Sequence, residues 1–275
     1  MKTLVTGATG TVGRHVVDHL LVANVEVRAL TRRPDSAGLQ AGAEVVGGDL
    51  DQPETLASAF EGVDCMYLVV TSETEQVVKL AAGAGIRRIV VLSSASAALE
   101  GNSSGDFHRA AEVAVEGAGL QWTHVRPGMF AGNFLDWADA IRADGVVKAP
   151  YDAARQSPVH EIDVAEVAAT ALMSDGHDGT IYTLSGPEAL TKTEQVAAIS
   201  KGTGLAIRFE ELTPEQWREY AEQEGTPSYV VDWLLDWWAQ IVDSPEAVLP
   251  DVQQVLGRPA RTLVEWAADH AEDFG

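Results

Sequence analysis

Short runs of apolar residues alternate with amphipathic segments through the first half of the chain. Between the runs, apolar residues recur at helical spacing, as they do from His15 to Leu21. Strands buried on both faces of a parallel sheet read as short apolar runs, and helices connect them. The sequence therefore predicts an α/β fold with a doubly wound parallel sheet, whose strands are expected at 2–5, 25–30, 44–46, 65–70, 89–92 and 122–125.

The pattern becomes more irregular in the second half. An alanine-rich helix is expected to follow Asp163, then a strand at 180–184, and a final amphipathic helix at 262–274. No internal repeat or low-complexity linker separates this part from the first. We expect one structural unit made of a first domain, residues 1–155, with a smaller C-terminal α/β lobe, residues 156–275, packed on it.

The chain is strongly acidic. Its 275 residues include 41 acidic and 19 basic side chains, which gives a formal charge of −22 at pH 7. A field of this sign repels phosphate backbones and anionic lipid surfaces. We therefore expect no nucleic-acid or membrane partner, and we interpret the carboxylates as a solvated surface. A bound nucleotide is still compatible with this charge, because salt screens a distant field within about 10 Å.

Cysteine and histidine usage exclude two kinds of site. Cys65 is the only cysteine, so the chain forms neither an internal disulfide nor a thiolate metal cluster. His124 and His160 lack the spacing of zinc or iron ligands, so we expect no metal.

The N-terminal segment reaches Gly7 too soon for the apolar core of a signal peptide. No apolar stretch approaches the length of a membrane span, and we expect a cytoplasmic protein.

A glycine-rich turn joins the first predicted strand to the first predicted helix. Gly7, Gly10 and Gly13 recur at every third position, which leaves backbone without side chains where a diphosphate would lie. The helix that follows points free N–H groups and the positive end of its dipole at such a group. The alternative is a turn that serves only helix–strand packing. We expect dinucleotide contacts from seven consecutive residues: Gly7, Ala8, Thr9, Gly10, Thr11, Val12 and Gly13.

The end of the second predicted strand selects the cofactor. A carboxylate there would accept the ribose hydroxyls of NAD, but the sequence has Arg32 and Arg33 instead. A guanidinium matches a phosphate, so the sequence predicts NADP(H), with NAD(H) as the lesser alternative. Arg32 is the first candidate for the 2′-phosphate. Arg33 is a second, and either arginine is otherwise an ordinary solvated loop residue.

Further candidates follow the later strands, because ligands of such sheets bind beyond the carboxyl ends of the strands. Asp49 and Leu50 are expected to flank the adenine, with the carboxylate accepting its amino group. Asp49 is equally suited to a turn, and the two roles are compatible. Val70, Thr71 and Ser93 are the candidates at the ends of the next two strands.

Several parts of the sequence carry a family resemblance: 7–13, Arg32, 48–50, 125–133, 159–160, 163–165 and 256–260. Together they resemble the atypical short-chain dehydrogenase/reductases, and within them the NmrA-like NAD(P)-binding proteins. The resemblance implies a Rossmann-type domain that binds NADP(H), with a smaller C-terminal lobe over the nicotinamide end. This family contains quinone and related reductases, and also redox-sensing proteins that bind the dinucleotide without turnover.

The chain departs from the superfamily at its catalytic positions. Typical members have a tyrosine and, four residues later, a lysine on the helix after the fifth strand, whereas this chain has His108 and Glu112. These two side chains share a helical face, so Glu112 is expected to orient the imidazole and favour its charged form. His108 would then be a general acid. Alternatively, His108 only hydrogen-bonds substrate or ribose. Ser93 and Ser94 either donate to the same substrate oxygen or serve the turn.

These observations favour an NADP(H)-dependent oxidoreductase that reduces a carbonyl, quinone or activated alkene. The substrate is expected to be a small molecule of aromatic or quinone-like character, and the protein a monomer or homodimer. The alternative is a non-catalytic NADP(H)-binding redox sensor of NmrA type, which the missing tyrosine and lysine favour. A sugar-nucleotide epimerase or dehydratase ranks last, because it needs the absent tyrosine.

Overall fold

A computed structural model describes residues 1–99 and 101–275. Seven strands form one parallel sheet in the order β3-β2-β1-β4-β5-β6-β8, and two further strands, β7 and β9, pair in parallel. This arrangement confirms the predicted Rossmann-type α/β fold. The strands are β1 Lys2–Val5, β2 Glu26–Thr31, β3 Glu44–Gly47, β4 Cys65–Val69, β5 Arg88–Leu92, β6 Gln121–Pro127, β7 Val146–Ala149, β8 Thr180–Leu184 and β9 Arg208–Glu211.

The strand order reverses direction at β1. Val5 pairs with Ala29 of β2 on one side and with Tyr67 of β4 on the other. Strands β1 and β4 therefore flank the switch point, beyond whose carboxyl edge open α/β sheets bind their ligands. The first glycine turn leaves β1 at this edge.

Helices follow nearly every strand. None of the described helices is both long and apolar enough to cross a membrane. The helices are α1 Gly13–Val22, α2 Ala57–Phe60, α3 Thr74–Gly83, α4 Ser103–Glu116, α5 Ala138–Asp144, α6 Glu161–Met173, α7 Lys192–Thr203, α8 Pro214–Gln223, α9 Ser228–Asp243, α10 Asp251–Leu256, α11 Leu263–Asp269 and α12 Ala271–Phe274.

The sheet is covered on both faces, which explains its continuous apolar strands. Leu4, Met66 and Ile89 point to one face and pack with Val78 of α3 and Val115 of α4 in one buried cluster. Helices α1 and α6 pack on each other, and α6 also contacts β4, β5 and β6. Alternate side chains of each strand are thus buried on opposite faces, as in other parallel sheets.

The chain divides into two compact units. The first contains 1–128, 161–184 and 250–258, and the second contains 129–160, 185–249 and 259–275. Residues 161–184 belong to the first unit because β8 pairs with β6 and α6 packs on the same sheet. The division into residues 1–155 and 156–275 stays a prediction from the sequence.

The second unit has its own core and small sheet. Phe134 and Trp266 are buried in one cluster, and Trp217 lies in a second with Val231 and Leu235. The pair β7–β9 was not expected from the sequence, because β9 is mostly exposed and its charged residues hide the pattern of a strand.

Helix α4 begins at Ser103, because the Asn102 side chain accepts a hydrogen bond from Gly105 N at 2.9 Å and caps the helix. One helix boundary differs from the sequence-based expectation. The single helix expected at 262–274 is two helices, α11 and α12, which join at His270.

Candidate functional site

The glycine turn is a tight bend that only glycine accommodates at its first position. Gly7 has φ +57°, a left-handed conformation that residues with side chains rarely adopt. Its carbonyl accepts a hydrogen bond from Gly10 N at 2.9 Å. A Cβ at Gly7 would also lie 2.9 Å from Val69 Cγ2 of β4. The turn is therefore compact and close to the switch point.

Gly13 allows α1 to approach the turn closely. A Cβ at this position would lie 2.2 Å from the carbonyl oxygen of Gly7 and 3.2 Å from Ala8 Cα. Backbone cannot yield as a flexible side chain can, so position 13 requires glycine. This is the close helix–strand packing that the last glycine of a dinucleotide fingerprint provides.

The N-terminus of α1 is suited to an anion. Val12 is the N-cap residue, and no described side chain caps the helix there. Uncapped N–H groups and the helix dipole favour a negative group at this point. Arg14 lies one residue further and donates to the Thr9 carbonyl at 3.2 Å. The turn and helix thus present the donors and the open backbone that a diphosphate needs.

Arg32 and Arg33 lie directly after β2 and are exposed. Among the described residues, neither guanidinium forms an ion pair, so both are available to a ligand phosphate. Arg33 N donates to Thr31 Oγ1 at 3.2 Å, which fixes the backbone of this loop. The parallel pairing of β2 with β1 brings the loop to the same edge of the sheet as the glycine turn.

Asp49 serves the turn that follows β3. Its Oδ1 accepts from Asp51 N at 3.1 Å, while its own amide donates to Thr55 Oγ1 at 3.0 Å. Asp49 and its neighbour Leu50 remain half-buried. Asp49 therefore stabilises the turn through its Oδ1 atom, and the second oxygen of its carboxylate can accept from another donor.

Val70 and Thr71 follow β4 at the carboxyl edge. Thr71 N donates to Thr74 Oγ1 at 2.9 Å, and the Thr74 hydroxyl donates back to the Thr71 carbonyl at 2.8 Å. Nearby, Val69 N donates to Thr6 Oγ1 at 2.9 Å and ties β4 to the start of the glycine turn. The ends of β1 and β4 are thus held together by side-chain hydrogen bonds.

A buried ionic network lies where β5 and β6 end. Glu112 of α4 is fully buried and accepts hydrogen bonds from Arg126 Nε at 2.8 Å and Nη2 at 2.5 Å. The Ser93 hydroxyl donates to Glu112 Oε1 at 2.6 Å, and Arg109 Nη1 donates to Oε2 at 3.1 Å. The proton of Ser93 is therefore committed to Glu112, and Ser93 presents only acceptor lone pairs to other groups.

Glu112 is ionised over the whole physiological range. Burial by itself raises the pKa of its carboxyl, but hydrogen bonds from Arg126, Ser93 and Arg109, together with the charge of His124, outweigh burial and lower the pKa to about 2. A buried carboxylate with this many donors is a fixed negative charge.

The imidazole of His108 differs from the expectation in its charge. No described residue forms a hydrogen bond with its buried Nδ1. Burial lowers the pKa of His108, and the nearby charge of Glu112 only partly opposes the shift. The expected increase in pKa is therefore wrong, because Glu112 is engaged by two arginines instead of the imidazole. His108 is neutral at neutral pH.

Glu112, Glu116 and His124 bring potential metal-binding atoms within 4.8 Å of one another. Arg109 Nη1 already bridges this group, at 2.6 Å from Glu116 Oε1 and 3.1 Å from Glu112 Oε2. Its guanidinium supplies the positive charge that a cation would supply, so we derive no metal site from these residues.

Sequence reasoning missed Arg126 and Thr6 as members of the site. Arg126 lies in β6 and Thr6 directly follows β1, and both are at most 9% exposed. A charged residue within the apolar run of β6 is the signal that points to Arg126, since buried charges need partners. Its partner on α4 could not be identified from sequence distance alone.

The chain is similar over nearly its whole length to known NAD(P)H reductases. A (4-alkanoyl-5-oxo-2,5-dihydrofuran-3-yl)methyl phosphate reductase of Streptomyces griseus is 41% identical, with 98% of each chain covered. An NAD(P)H azoreductase of Xenophilus azovorans is 35% identical, with 99% of each chain covered. The crystal structure of an NADPH-dependent quinone oxidoreductase from Escherichia coli in complex with NADPH superposes with a TM-score of 0.82 at 25% identity, covering 98% of this chain and 99% of the other.

A family model for NAD(P)H-binding proteins matches residues 7–175, which include the glycine turn, both arginines and the Glu112 network. Together with the similarity to whole reductases, this match identifies both cofactor and reaction type. The chain belongs to the NAD(P)H-binding family, in the NmrA-like branch of the atypical short-chain dehydrogenase/reductases, and it is an NADP(H)-dependent oxidoreductase.

Proposed function

We propose that the protein uses NADPH to reduce small conjugated acceptors, with quinones, azo compounds and unsaturated lactones as the first classes to test. The glycine turn carries this proposal, because it combines the close packing at Gly13 with an uncapped helix N-terminus, and a diphosphate site requires both features. The three substrate classes come from three similar proteins, which are an azoreductase, a reductase of a dihydrofuranone phosphate and a quinone oxidoreductase.

The cofactor-binding residues have separate roles in this proposal. Backbone amides of the glycine turn bind the diphosphate, and Arg32 binds the 2′-phosphate with Arg33 beside it. Asp49 and Leu50 flank the adenine, and Val70, Thr71 and Ser93 line the path along the sheet edge. When bound, NADPH supplies the hydride.

His108 is the proposed catalytic residue. Its imidazole is neutral at neutral pH, so it donates a hydrogen bond to the acceptor oxygen or nitrogen where negative charge develops. Solvent then provides the proton of the reduced product. Glu112 is a positioning residue, because its oxygens bind Ser93, Arg126 and Arg109.

Ser93 has an acceptor role in this arrangement. Its hydroxyl proton points at Glu112, so it receives a hydrogen bond from an N–H or O–H of the ligand instead of donating one. This assignment replaces the alternative in which Ser93 donates to the substrate oxygen. Ser94 remains a capping residue, whose Oγ accepts from Ser96 N at 3.2 Å.

The test is the loss of NADPH absorbance with a panel of quinones, azo compounds, carbonyls and unsaturated lactones. We expect turnover with at least one conjugated class and none with simple aliphatic carbonyls. Tight NADPH binding without turnover on any acceptor would contradict the proposal.

The second candidate is a redox sensor, favoured by His108 and Glu112 in place of the tyrosine and lysine. A sensor of the NADPH/NADP ratio must bind the two forms with different affinity. Calorimetric titration with both forms distinguishes it, since equal affinities exclude a ratio sensor. A cytoplasmic location and a monomeric or homodimeric state stay predictions from the sequence.

A further inference from the structure

Helix α9 in the second unit has two aromatic faces with different surroundings. Its inner face buries Val231 and Leu235 against Trp217. Its outer face presents Tyr229 and Trp233, whose residues are 76% and 55% exposed. Side chains four positions apart lie on the same face of a helix, so these two rings are neighbours. Together the two rings form an exposed aromatic patch on this helix.

Other aromatic rings of the second unit lie close to lysine side chains. Lys192 Nζ lies 4.2 Å from the ring centroid of Trp238, and Lys148 Nζ lies 5.8 Å from that of Tyr220. Both distances fit cation–π contacts. Among the described residues, no cation and no other ring lies against Tyr229 or Trp233.

The charges around α9 select the kind of ligand. Asp236 lies three residues beyond Trp233 and is exposed on the same side of the helix. The one basic residue of the segment, Arg218, bonds to Asp232 at 2.6 Å and is thereby neutralised. The segment 214–243 has seven carboxylates: Glu215, Glu219, Glu222, Glu224, Asp232, Asp236 and Asp243. The outer face is therefore aromatic and negative.

We propose that Tyr229, Trp233 and Asp236, here called the α9 aromatic face, bind small aromatic cations. The rings provide stacking and cation–π attraction, and Asp236 provides the counter-charge. A second copy of this chain is a poor occupant, because each copy carries a formal charge of −22. The proposal concerns a surface distinct from the cofactor cradle, and it does not depend on turnover.

Ligand-observed NMR titration of the full chain, without cofactor, tests the proposal. The probes are phenyltrimethylammonium and benzenesulfonate, which are similar in size and opposite in charge. We expect millimolar binding of the cation and none of the anion, with affinity for the cation falling as salt is added.

Variants locate the binding. Trp233→Leu keeps an apolar side chain but removes the ring, and we expect it to weaken cation binding two- to about fivefold, as for one exposed cation–π contact. Asp236→Asn is expected to weaken cation binding and to reduce its salt dependence. Val113→Ala removes an equally exposed apolar side chain of the first unit and should change nothing.

Three results would overturn the proposal. The first is that the two probes bind with equal affinity. The second is that the double variant Trp233→Leu, Tyr229→Leu still binds the cation as the wild type does. The third is that sedimentation shows a dimer of the wild type and that Trp233→Leu dissociates it. The last result would show that a second copy covers this face. Circular dichroism of each variant checks that the helix is retained, since both rings are exposed and contribute little to the core.

Discussion

Arg126 of β6 and Glu112 of α4 form a bidentate ion pair in which the carboxylate is fully buried. The pair joins the end of a strand to the helix that carries His108. Arg126 thus supplies the positive partner that the buried Glu112 carboxylate needs. His108, the proposed hydrogen-bond donor to the substrate, lies on a helix that this ion pair fixes to the sheet.

Glu112→Gln is expected to destabilise the protein by about 3–5 kcal/mol, because it leaves Arg126 buried without its counter-charge. Urea unfolding of the variant and the wild type measures the difference. Glu116→Gln is the matched control on the same helix, since Glu116 is 27% exposed and pairs with the half-exposed Arg109. The control should lose about 1 kcal/mol or less. Similar losses in both variants would contradict a special role for the buried pair.

The Glu112 carboxylate makes the free energy of unfolding depend on pH. Its pKa of about 2 in the folded protein lies below the ordinary value of 4.5, so its contribution is complete above pH 4.5 and is lost as the pH falls toward 2. The difference corresponds to about 3 kcal/mol. The stability gap between wild type and Glu112→Gln should therefore narrow between pH 4.5 and 2 in urea titrations. A gap that stays constant over this range would disprove the assignment.

Arg32→Ala is expected to weaken NADPH binding by about 1–3 kcal/mol, as for the loss of a charge-assisted contact, and to leave NADH binding nearly unchanged. Fluorescence titration with both cofactors measures this selectivity. Arg33→Ala is the neighbouring control and should have the smaller effect. Equal losses for the two cofactors would remove Arg32 from the 2′-phosphate site.

Gly13→Ala is expected to abolish most NADPH affinity and to destabilise the fold by about 1–3 kcal/mol, because its Cβ would lie 2.2 Å from the Gly7 carbonyl oxygen. Calorimetry and thermal unfolding report the two effects. Gly83→Ala, at the end of α3, has no atom within 4 Å of the added Cβ and should be neutral or slightly stabilising. Normal NADPH binding by Gly13→Ala would mean that the turn does not hold the diphosphate.

His108→Ala is expected to lower kcat about 100-fold while the dissociation constant of NADPH stays unchanged. Because burial lowers the pKa of His108, its imidazole is neutral above the ordinary histidine value of 6.5, and the wild-type rate should show no titration of His108 in that range. Val113→Ala on the same helix is the control. A pH profile that rises below 6.5 would indicate a charged imidazole as the acid.

The proposed cofactor-binding part of the site could be predicted from the sequence because each of its segments is local. The spacing of Gly7, Gly10 and Gly13 and the arginines after β2 lie in contiguous segments, and each segment has its own physical requirement. The parallel order of the strands then brings these segments to one edge, as the alternation of strands and helices predicts.

The charge state of the catalytic candidates could not be read in the same way. His108 and Glu112 share a helical face, which suggested a direct pair, but the carboxylate binds Arg126, fourteen residues further along the chain. Which of several polar groups meet inside the protein depends on how α4 packs against β6, a relation that sequence spacing does not encode.

The fold class and the use of NADP(H) were predictable from the amino-acid sequence alone, and so was the proposal that the glycine turn binds the dinucleotide, because backbone geometry and helix periodicity act between near neighbours. The tertiary structure was needed to show that two arginines bind Glu112, that Ser93 accepts hydrogen bonds and that His108 is neutral. Burial and long-range ion pairs set those properties, and both arise only when distant segments pack together.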